Sequence, residues 1–196
     1  MFIESERYRR AIERLDAAHA EDPRREESDG VEHPYELLYA QRMSAWLERV
    51  APEASETLRL AVRAQHLRRW TLPRDEYPMT RPGYHAWRTE LKRRQAEQAV
   101  AILHEAGYDD GECARVAQLI RKENLRRDAD AQALEDTACL VFLQHYFAAF
   151  APGHDEDKLC GIVRKTWKKM SPRAHELTAQ LSLSADEQAL VQKALA

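Results

Sequence analysis

The stretch QALEDTACLVFLQHYFAAF (residues 132–150) decides the fold class. From Thr137 to Leu143 it is apolar on almost every side, which is typical of a helix buried at the centre of a helical protein. Segments with the helical period recur along the rest of the chain, and no convincing stretch alternates with the period of two that marks a strand. We therefore expect an all-α protein, a bundle of about eight helices around this segment.

The other helices are expected on both sides of the central one. Their approximate limits are 5–20, 34–51, 55–71, 84–106, 110–123, 131–150 and 157–170, followed by a last helix that a capping box from Ser184 to Glu187 opens. The segments EDPRREESDG (21–30) and LPRDEYPMTRPG (72–83) are predicted to be loops because they are rich in charge, proline and glycine.

Composition restricts the class of protein. With 196 residues and a net charge of −3, the chain suits one domain and does not suit a protein that coats nucleic acid. Cys113, Cys139 and Cys160 form no CxxC pair, which is typical of reduced thiols in a cytosolic protein. The start, MFIESERYRR, lacks a signal core, and the apolar run ACLVFL is too short to span a bilayer. We expect a soluble, cytoplasmic protein with no membrane partner.

Positive charge is concentrated in one part of the chain. Residues 63–94 contain nine Arg and Lys against three Asp and Glu. Arginine binds phosphate oxygens in pairs and stacks on aromatic rings, so this composition favours a phosphorylated ligand with a planar ring. The alternative is a solvated surface whose arginines pair with the acids of residues 21–30. The candidate ligand-binding residues are Arg68, Arg69, Trp70, Arg74, Tyr77, Arg81, Tyr84, Trp87, Arg88, Lys122 and Lys165.

Four polar side chains intrude on apolar helical patterns. His66 lies on a largely apolar helix face, Glu135 and Asp136 come directly before the central apolar run, and Glu36 stands near the start of the second helix. A buried carboxylate needs a cation, a hydrogen-bonding partner or a metal. His66, Asp136 and Glu36 are candidate ligands of a divalent metal such as Mn, Fe, Mg or Zn, and His66, Asp136 and Glu135 are the candidate catalytic residues. The alternatives are a core histidine and acids that complement helix N-termini.

Four stretches carry a family resemblance. HPYELLYAQRMSAWL (33–47), AVRAQHLRRWTLPRDEYPMTRPGYHAWR (61–88), LIRKENLRRDADAQALEDTACLVFLQHYF (119–147) and IVRKTWKKMS (162–171) resemble the domain of unknown function 4202 family. That family is in turn similar to the HD superfamily of helical, metal-dependent phosphohydrolases. The resemblance implies a single HD-domain-like helical domain over residues 1–196, with residues 172–196 as a C-terminal helical extension.

The HD resemblance also implies particular metal ligands. HD proteins supply a His from one helix, an adjacent His-Asp pair from another and an Asp from a later helix. His66 matches the His of the pair and Asp136 matches the late Asp, whereas Leu67 stands in place of the paired Asp. Tyr39 lies near the place of the first His, and Glu36, one turn away, is our candidate substitute for it.

Three functional hypotheses follow. The first is an HD-like protein that binds a phosphorylated, nucleotide-like small molecule and hydrolyses a phosphate ester with a bound metal. The second is a non-catalytic module that senses a nucleotide in the same place. The third is an RNA-binding protein that uses the basic, aromatic segment 68–88. The sequence does not specify the oligomeric state.

Overall fold

The computed structural model describes residues 2–123, 127–150 and 155–195. The predicted all-α class is confirmed. The helices are α1 Glu6–Ala20, α2 Tyr35–Val50, α3 Glu56–Arg63, α4 Arg81–Ala106, α5 Asp110–Arg121, α6 Ala129–Val141, α7 Phe147–Phe150, α8 Glu156–Trp167, α9 Pro172–Leu177 and α10 Ala185–Leu195. None of these helices within the described ranges is long and apolar enough to cross a bilayer.

The segment predicted as a loop at residues 21–30 contributes to a small hairpin. Strand β1 (Arg25–Ser28) pairs antiparallel with β2 (Val31–Pro34). Between them Asp29 and Gly30 have φ values of 53° and 77°, the conformation of an Asp-Gly hairpin turn. The loop prediction was wrong here because β1 carries mostly charged residues and neither strand shows apolar alternation.

The third helix is shorter than predicted. Ser55 caps α3, and its hydroxyl accepts a hydrogen bond from the Leu58 amide, but the helix ends at Arg63 instead of continuing to about residue 71. His66 and Arg68 follow with φ values of 62° and 47°. A residue with positive φ cannot continue a right-handed helix. The sequence did not indicate this break, because neither residue is a glycine or a proline.

The predicted loop at residues 72–83 ends earlier than expected. Helix α4 begins at Arg81, because Thr80 Oγ1 accepts a hydrogen bond from the Gly83 amide and Pro82 fits the first turn. A Cβ at Gly83 would collide with the carbonyl of Pro78. The absence of a side chain at this position therefore lets the loop lie against the start of α4.

Helix α6 is the buried central helix that the sequence predicts. Leu134, Leu140 and Val141 are fully buried in the main core, and α6 packs against α2 and α3. The helix does not run unbroken to residue 150, because a π-helical turn (Phe142–Tyr146) separates α6 from α7. Such turns insert an extra residue and are frequent near functional sites.

The C-terminal helices belong to two different clusters. Ala174 and Leu177 of α9 lie in the main core, whereas α10 packs on α8 in a smaller cluster that includes Val163 and Ala194. The predicted capping box is confirmed, since Ser184 and Glu187 exchange hydrogen bonds between side chain and backbone. The three cysteines are buried and unpaired.

Candidate functional site

A cavity of about 570 Å3 lies among α2, α4, α6 and the turn that follows α3. Its wall combines cations, two carboxylates, aromatic rings and two amides. The polar and aromatic lining residues are Arg24, Tyr35, Glu36, Tyr39, Gln65, His66, Arg69, Arg88, Lys92, Gln95, Lys122, Glu135, Phe142, Tyr146, Thr166 and Lys169. The volume falls in the range that small-molecule sites occupy.

A chain of polar contacts runs along one wall. His66 Nδ1 lies 3.2 Å from Glu36 Oε2, and His66 Nε2 lies 2.9 Å from Arg69 Nη1. Arginine can only donate, so Nε2 must be the acceptor, and the proton of the neutral ring is on Nδ1, facing Glu36. The imidazole therefore joins a buried carboxylate to a guanidinium group.

The remaining contacts of Glu36 fix it at the base of this chain. Glu36 is 1% exposed, and its Oε1 accepts a hydrogen bond of 2.7 Å from Arg24. Arg24 also donates to both oxygens of buried Asp22, which in turn accepts from the Glu36 amide. The hairpin start and the first turn of α2 are thus held together by charge-assisted hydrogen bonds.

Electrostatics keeps the His66 ring neutral. Burial and the neighbouring Arg69 guanidinium lower the pKa of His66 to about 4, although Glu36 acts in the opposite direction. Burial alone would raise the pKa of Glu36, but the His66 ring and the guanidinium groups of Arg24 and Arg69 outweigh it and lower that pKa. At neutral pH the wall therefore carries an ionised Glu36, an uncharged His66 and a charged Arg69.

Aromatic rings support this wall. The Tyr39 ring stacks on the His66 ring with centroids 4.2 Å apart and planes 12° from parallel. The Arg24 guanidinium lies over the Tyr35 ring, 4.8 Å from the ring centroid. Tyr146, which belongs to the π-helical turn, completes the aromatic side of the cavity. The stack fixes the imidazole plane and hence the direction of its contact with Arg69.

The opposite end of the cavity holds the second carboxylate. Glu135 forms ion pairs with Lys122, which has a positive φ of 58°, and with Lys169, whose Nζ lies 3.5 Å away. Burial alone would raise the pKa of Glu135, but the two lysines lower it. Glu135 is therefore an ionised, paired carboxylate in this structure.

Between the two ends lie three cations without a carboxylate partner. Arg69 contacts His66 and lies over the Trp87 ring, 5.2 Å from its centroid. Arg88 and Lys92 make no hydrogen bond or ion pair with any residue in the described ranges. Glu36 acts on Arg69 and Glu135 acts on Lys92 only through space, without an ion pair, so no acid in the described residues neutralises these cations by direct contact.

Two predicted ligand-binding arginines have other partners. Arg68 forms two hydrogen bonds with the Glu21 carboxylate at the surface. The Arg74 guanidinium donates to the carbonyl oxygens of Tyr77 and Pro78, at 2.9 and 2.8 Å. Arg74 therefore closes the loop on itself, and neither side chain lines the cavity.

The aromatic residues of the same segment pack beside the cavity. Trp87 Nε1 donates to the Leu72 carbonyl at 3.0 Å, and Trp87, Leu72 and Leu91 form a small cluster against which Tyr77 packs. This cluster anchors the loop to α4. Four further candidates do not line the cavity and are exposed or half-buried: Trp70, Arg81, Tyr84 and Lys165.

Asp136 binds a different part of the protein from His66. Its Oδ1 accepts hydrogen bonds from the Ser171 amide and from Gln132, and its Oδ2 accepts one from the Ser171 hydroxyl at 2.5 Å. Ser171 in turn caps α9. Asp136 does not line the cavity; it ties α6 to the start of α9.

The residues present do not fit a metal shared by Glu36, His66 and Asp136. Both ring nitrogens of His66 have neighbours, one of them the Arg69 guanidinium, and both oxygens of Asp136 accept hydrogen bonds from elsewhere. A cation at His66 would stand beside Arg69, at a cost in repulsion. In the part of the chain that the structure describes, no three His, Cys, Asp or Glu side chains are grouped to hold a metal ion.

Sequence reasoning missed several lining residues. Lys92 and Gln95 follow the predicted Arg88 at i+4 and i+7 on one helix face, a signal that was present in the sequence. Arg24 gave no such signal, because its position depends on the hairpin and on the pairing with Asp22. Tyr146 reaches the cavity from the π-helical turn, which the helical period did not indicate.

Comparison with known proteins identifies the family. The protein-family model described as domain of unknown function (DUF4202) matches residues 9–191. The chain belongs to the DUF4202 family. Comparison of this DUF4202 chain with curated proteins and with solved structures found no match.

The first prediction distinguishes the structural role of Asp136 from a metal role. Replacing Asp136→Ala should lower the free energy of unfolding by about 2–3 kcal/mol, since Ser171 loses a charged partner. Chemical denaturation measures this loss, which should be the same with chelator or with added Mn²⁺ or Zn²⁺. The exposed Asp75→Ala is the control and should change stability little. An Asp136→Ala protein as stable as wild type, but without a metal-induced gain seen in wild type, would contradict this role.

The second prediction concerns His66 and pH. Because the folded protein disfavours the charged ring, the unfolded chain takes up the proton first as the pH falls from about 6.5 towards 4, and stability falls in that window. His66→Gln removes this contribution. Between pH 7 and pH 5 the variant should therefore lose about 2 kcal/mol less unfolding free energy than wild type. The exposed His85→Gln should behave as wild type, and an equal loss in His66→Gln would refute the assignment.

Proposed function

We propose that the chain binds a phosphorylated, nucleotide-like small molecule in this cavity. The observation that carries the proposal is the group of three lining cations, Arg69, Arg88 and Lys92, that have no acidic partner among the described residues. Arginine donates in pairs to phosphate oxygens, and lysine adds a point charge. A phosphate among these three groups would supply the missing negative charge.

The crowding of cations supports this proposal. Burial lowers the pKa of Lys92, and the neighbouring Lys122 and Arg88 lower it further. Holding like charges close together in a partly buried cavity costs free energy. Binding a multivalent anion would relieve that cost, so the ligand charge and the protein charge complement each other.

The rest of the wall supports a ligand with a ring. Tyr35, Tyr39 and Tyr146 line one side of the cavity with aromatic rings, and the Tyr146 ring is inclined by 60° to that of Tyr35 and by 52° to that of Tyr39. Ligand sites commonly combine such a surface with a few placed polar groups. A phosphate at the arginines and a planar ring toward this side would use both parts of the wall.

The contacts of His66 favour binding over hydrolysis. In the neutral ring, Nδ1–H faces Glu36 and Nε2 accepts from Arg69, so neither nitrogen has a lone pair available for the proton of an attacking water. His66 is instead a positioning residue that holds Arg69. We therefore propose the non-catalytic, nucleotide-sensing alternative for this cavity.

A relation to the HD superfamily is proposed for the scaffold alone. His66 follows α3 and Asp136 lies on α6, and these two helices pack against each other, which supports the relation. RNA binding has less support. Arg74 is bound to loop carbonyls and Arg68 to Glu21, so both have protein partners in the segment that would contact unpaired bases.

The third prediction tests the proposal by ligand-dependent thermal stabilisation. Inorganic phosphate, ribose 5-phosphate and a panel of nucleoside monophosphates should raise the melting temperature of wild type. Arg88→Ala should weaken binding by on the order of 2 kcal/mol and leave the fold intact. Arg81→Ala removes an exposed arginine from the same helix and serves as the charge-matched control, with wild-type binding expected.

Two results would overturn the proposed function. One is no stabilisation of wild type by any phosphate compound. The other is an equal effect of Arg88→Ala and Arg81→Ala, which would show that net charge and not the cavity attracts the anion. Stabilisation by a single-stranded RNA oligomer, lost steeply with added salt, would favour the RNA hypothesis instead.

A further inference from the structure

Gln95 is a buried amide with no hydrogen-bonding partner among the described residues. Its side chain lines the cavity, and the residue is only 5% exposed. Its amide atoms are not among the fully buried polar atoms that lack a partner, so they face the open space of the cavity. The amide therefore offers a ligand in the cavity one donor and one acceptor that no described residue occupies.

The position of Gln95 on α4 places it beyond the phosphate-binding cations. Arg88, Lys92 and Gln95 lie on one face of the helix, and the helical rise separates Arg88 from Gln95 by about 10 Å along the axis. A phosphate near Arg88 and Lys92 would leave the rest of the ligand to extend toward Gln95. The amide is thus placed for the end of the ligand that does not carry the phosphate.

Gln65 adds a second amide at the cavity wall. It is also 5% exposed, and its Nε2 donates to the Ala61 carbonyl at 3.2 Å. That bond identifies the amide orientation and leaves Oε1 without a donor among the described residues. The cavity therefore offers one complete amide and one additional acceptor.

We propose that Gln95 determines ligand specificity by hydrogen-bonding the edge of a nucleobase-type ring. This inference rests on the proposed function and names the chemical class of the ligand, a phosphorylated compound whose ring carries an adjacent donor and acceptor. An amide presents one donor and one acceptor side by side, so it complements such an edge. A site built around an unpaired amide discriminates strongly against ligands that lack the complementary groups.

The test compares two classes of phosphate ligand in wild type and variants. Calorimetry gives the affinities for AMP, GMP, CMP, UMP, ribose 5-phosphate and inorganic phosphate. Wild type should bind at least one nucleotide about tenfold or more tightly than ribose 5-phosphate. Gln95→Met keeps the length of the side chain without its polar atoms; it should abolish this preference and change ribose 5-phosphate affinity less than about twofold.

Further variants control for fold and charge. Gln95→Leu should repeat the loss of preference, and Gln41→Met replaces an exposed glutamine of α2 and should behave as wild type. Arg88→Ala should weaken all six ligands together. If wild type binds phosphate compounds without preferring any nucleotide, the specificity role fails and the proposed function stands.

The specificity role also fails if Gln95→Met keeps the preference, or if it weakens ribose 5-phosphate as much as the nucleotides. If wild type binds none of the six ligands, the proposed function itself is wrong, and the role of Gln95 falls with it.

Discussion

The hydrogen bond between Arg69 and a neutral His66 is the interaction on which the cavity depends. Imidazole can accept from a guanidinium group only while it is uncharged, and burial together with Arg69 keeps it so. Glu36 Oε2 lies 3.2 Å from the other ring nitrogen, and the Tyr39 ring stacks on the imidazole. The backbone contributes as well. Helix α3 ends at Arg63, and the positive φ of His66 keeps the chain from continuing along the helical path.

From this bond follows the distribution of charge across the cavity. The carboxylates stand at the two ends, where Glu36 is held by Arg24 and Glu135 by Lys122 and Lys169. The three cations between them, Arg69, Arg88 and Lys92, form no ion pair with an acid in the described part of the chain. Such an arrangement lowers the stability of a protein unless a ligand neutralises it, so the imbalance supports the proposed binding of an anion.

The sequence predicted the fold class and several of the residues that line the cavity, and it missed what long-range contacts determine. The apolar run in α6 identified the central helix, and the polar intrusion of His66 into an apolar face identified one wall. Asp136 was misplaced because its partner, Ser171, lies 35 residues away, and spacing alone does not show such a contact. Arg74 was predicted to bind phosphate, but its guanidinium donates instead to the loop carbonyls of Tyr77 and Pro78. Composition does not show that these carbonyls take up the arginine.

The most direct test of the central claim is the position of a bound anion. In a crystal of the chain soaked with selenate, a tetrahedral oxyanion like phosphate, anomalous diffraction locates the selenium atom. We expect a peak inside the cavity, with the selenate oxygens within hydrogen-bonding distance of at least two of Arg69, Arg88 and Lys92. A cavity without a peak, while selenate binds at the surface near Arg74 or Arg81, would contradict it.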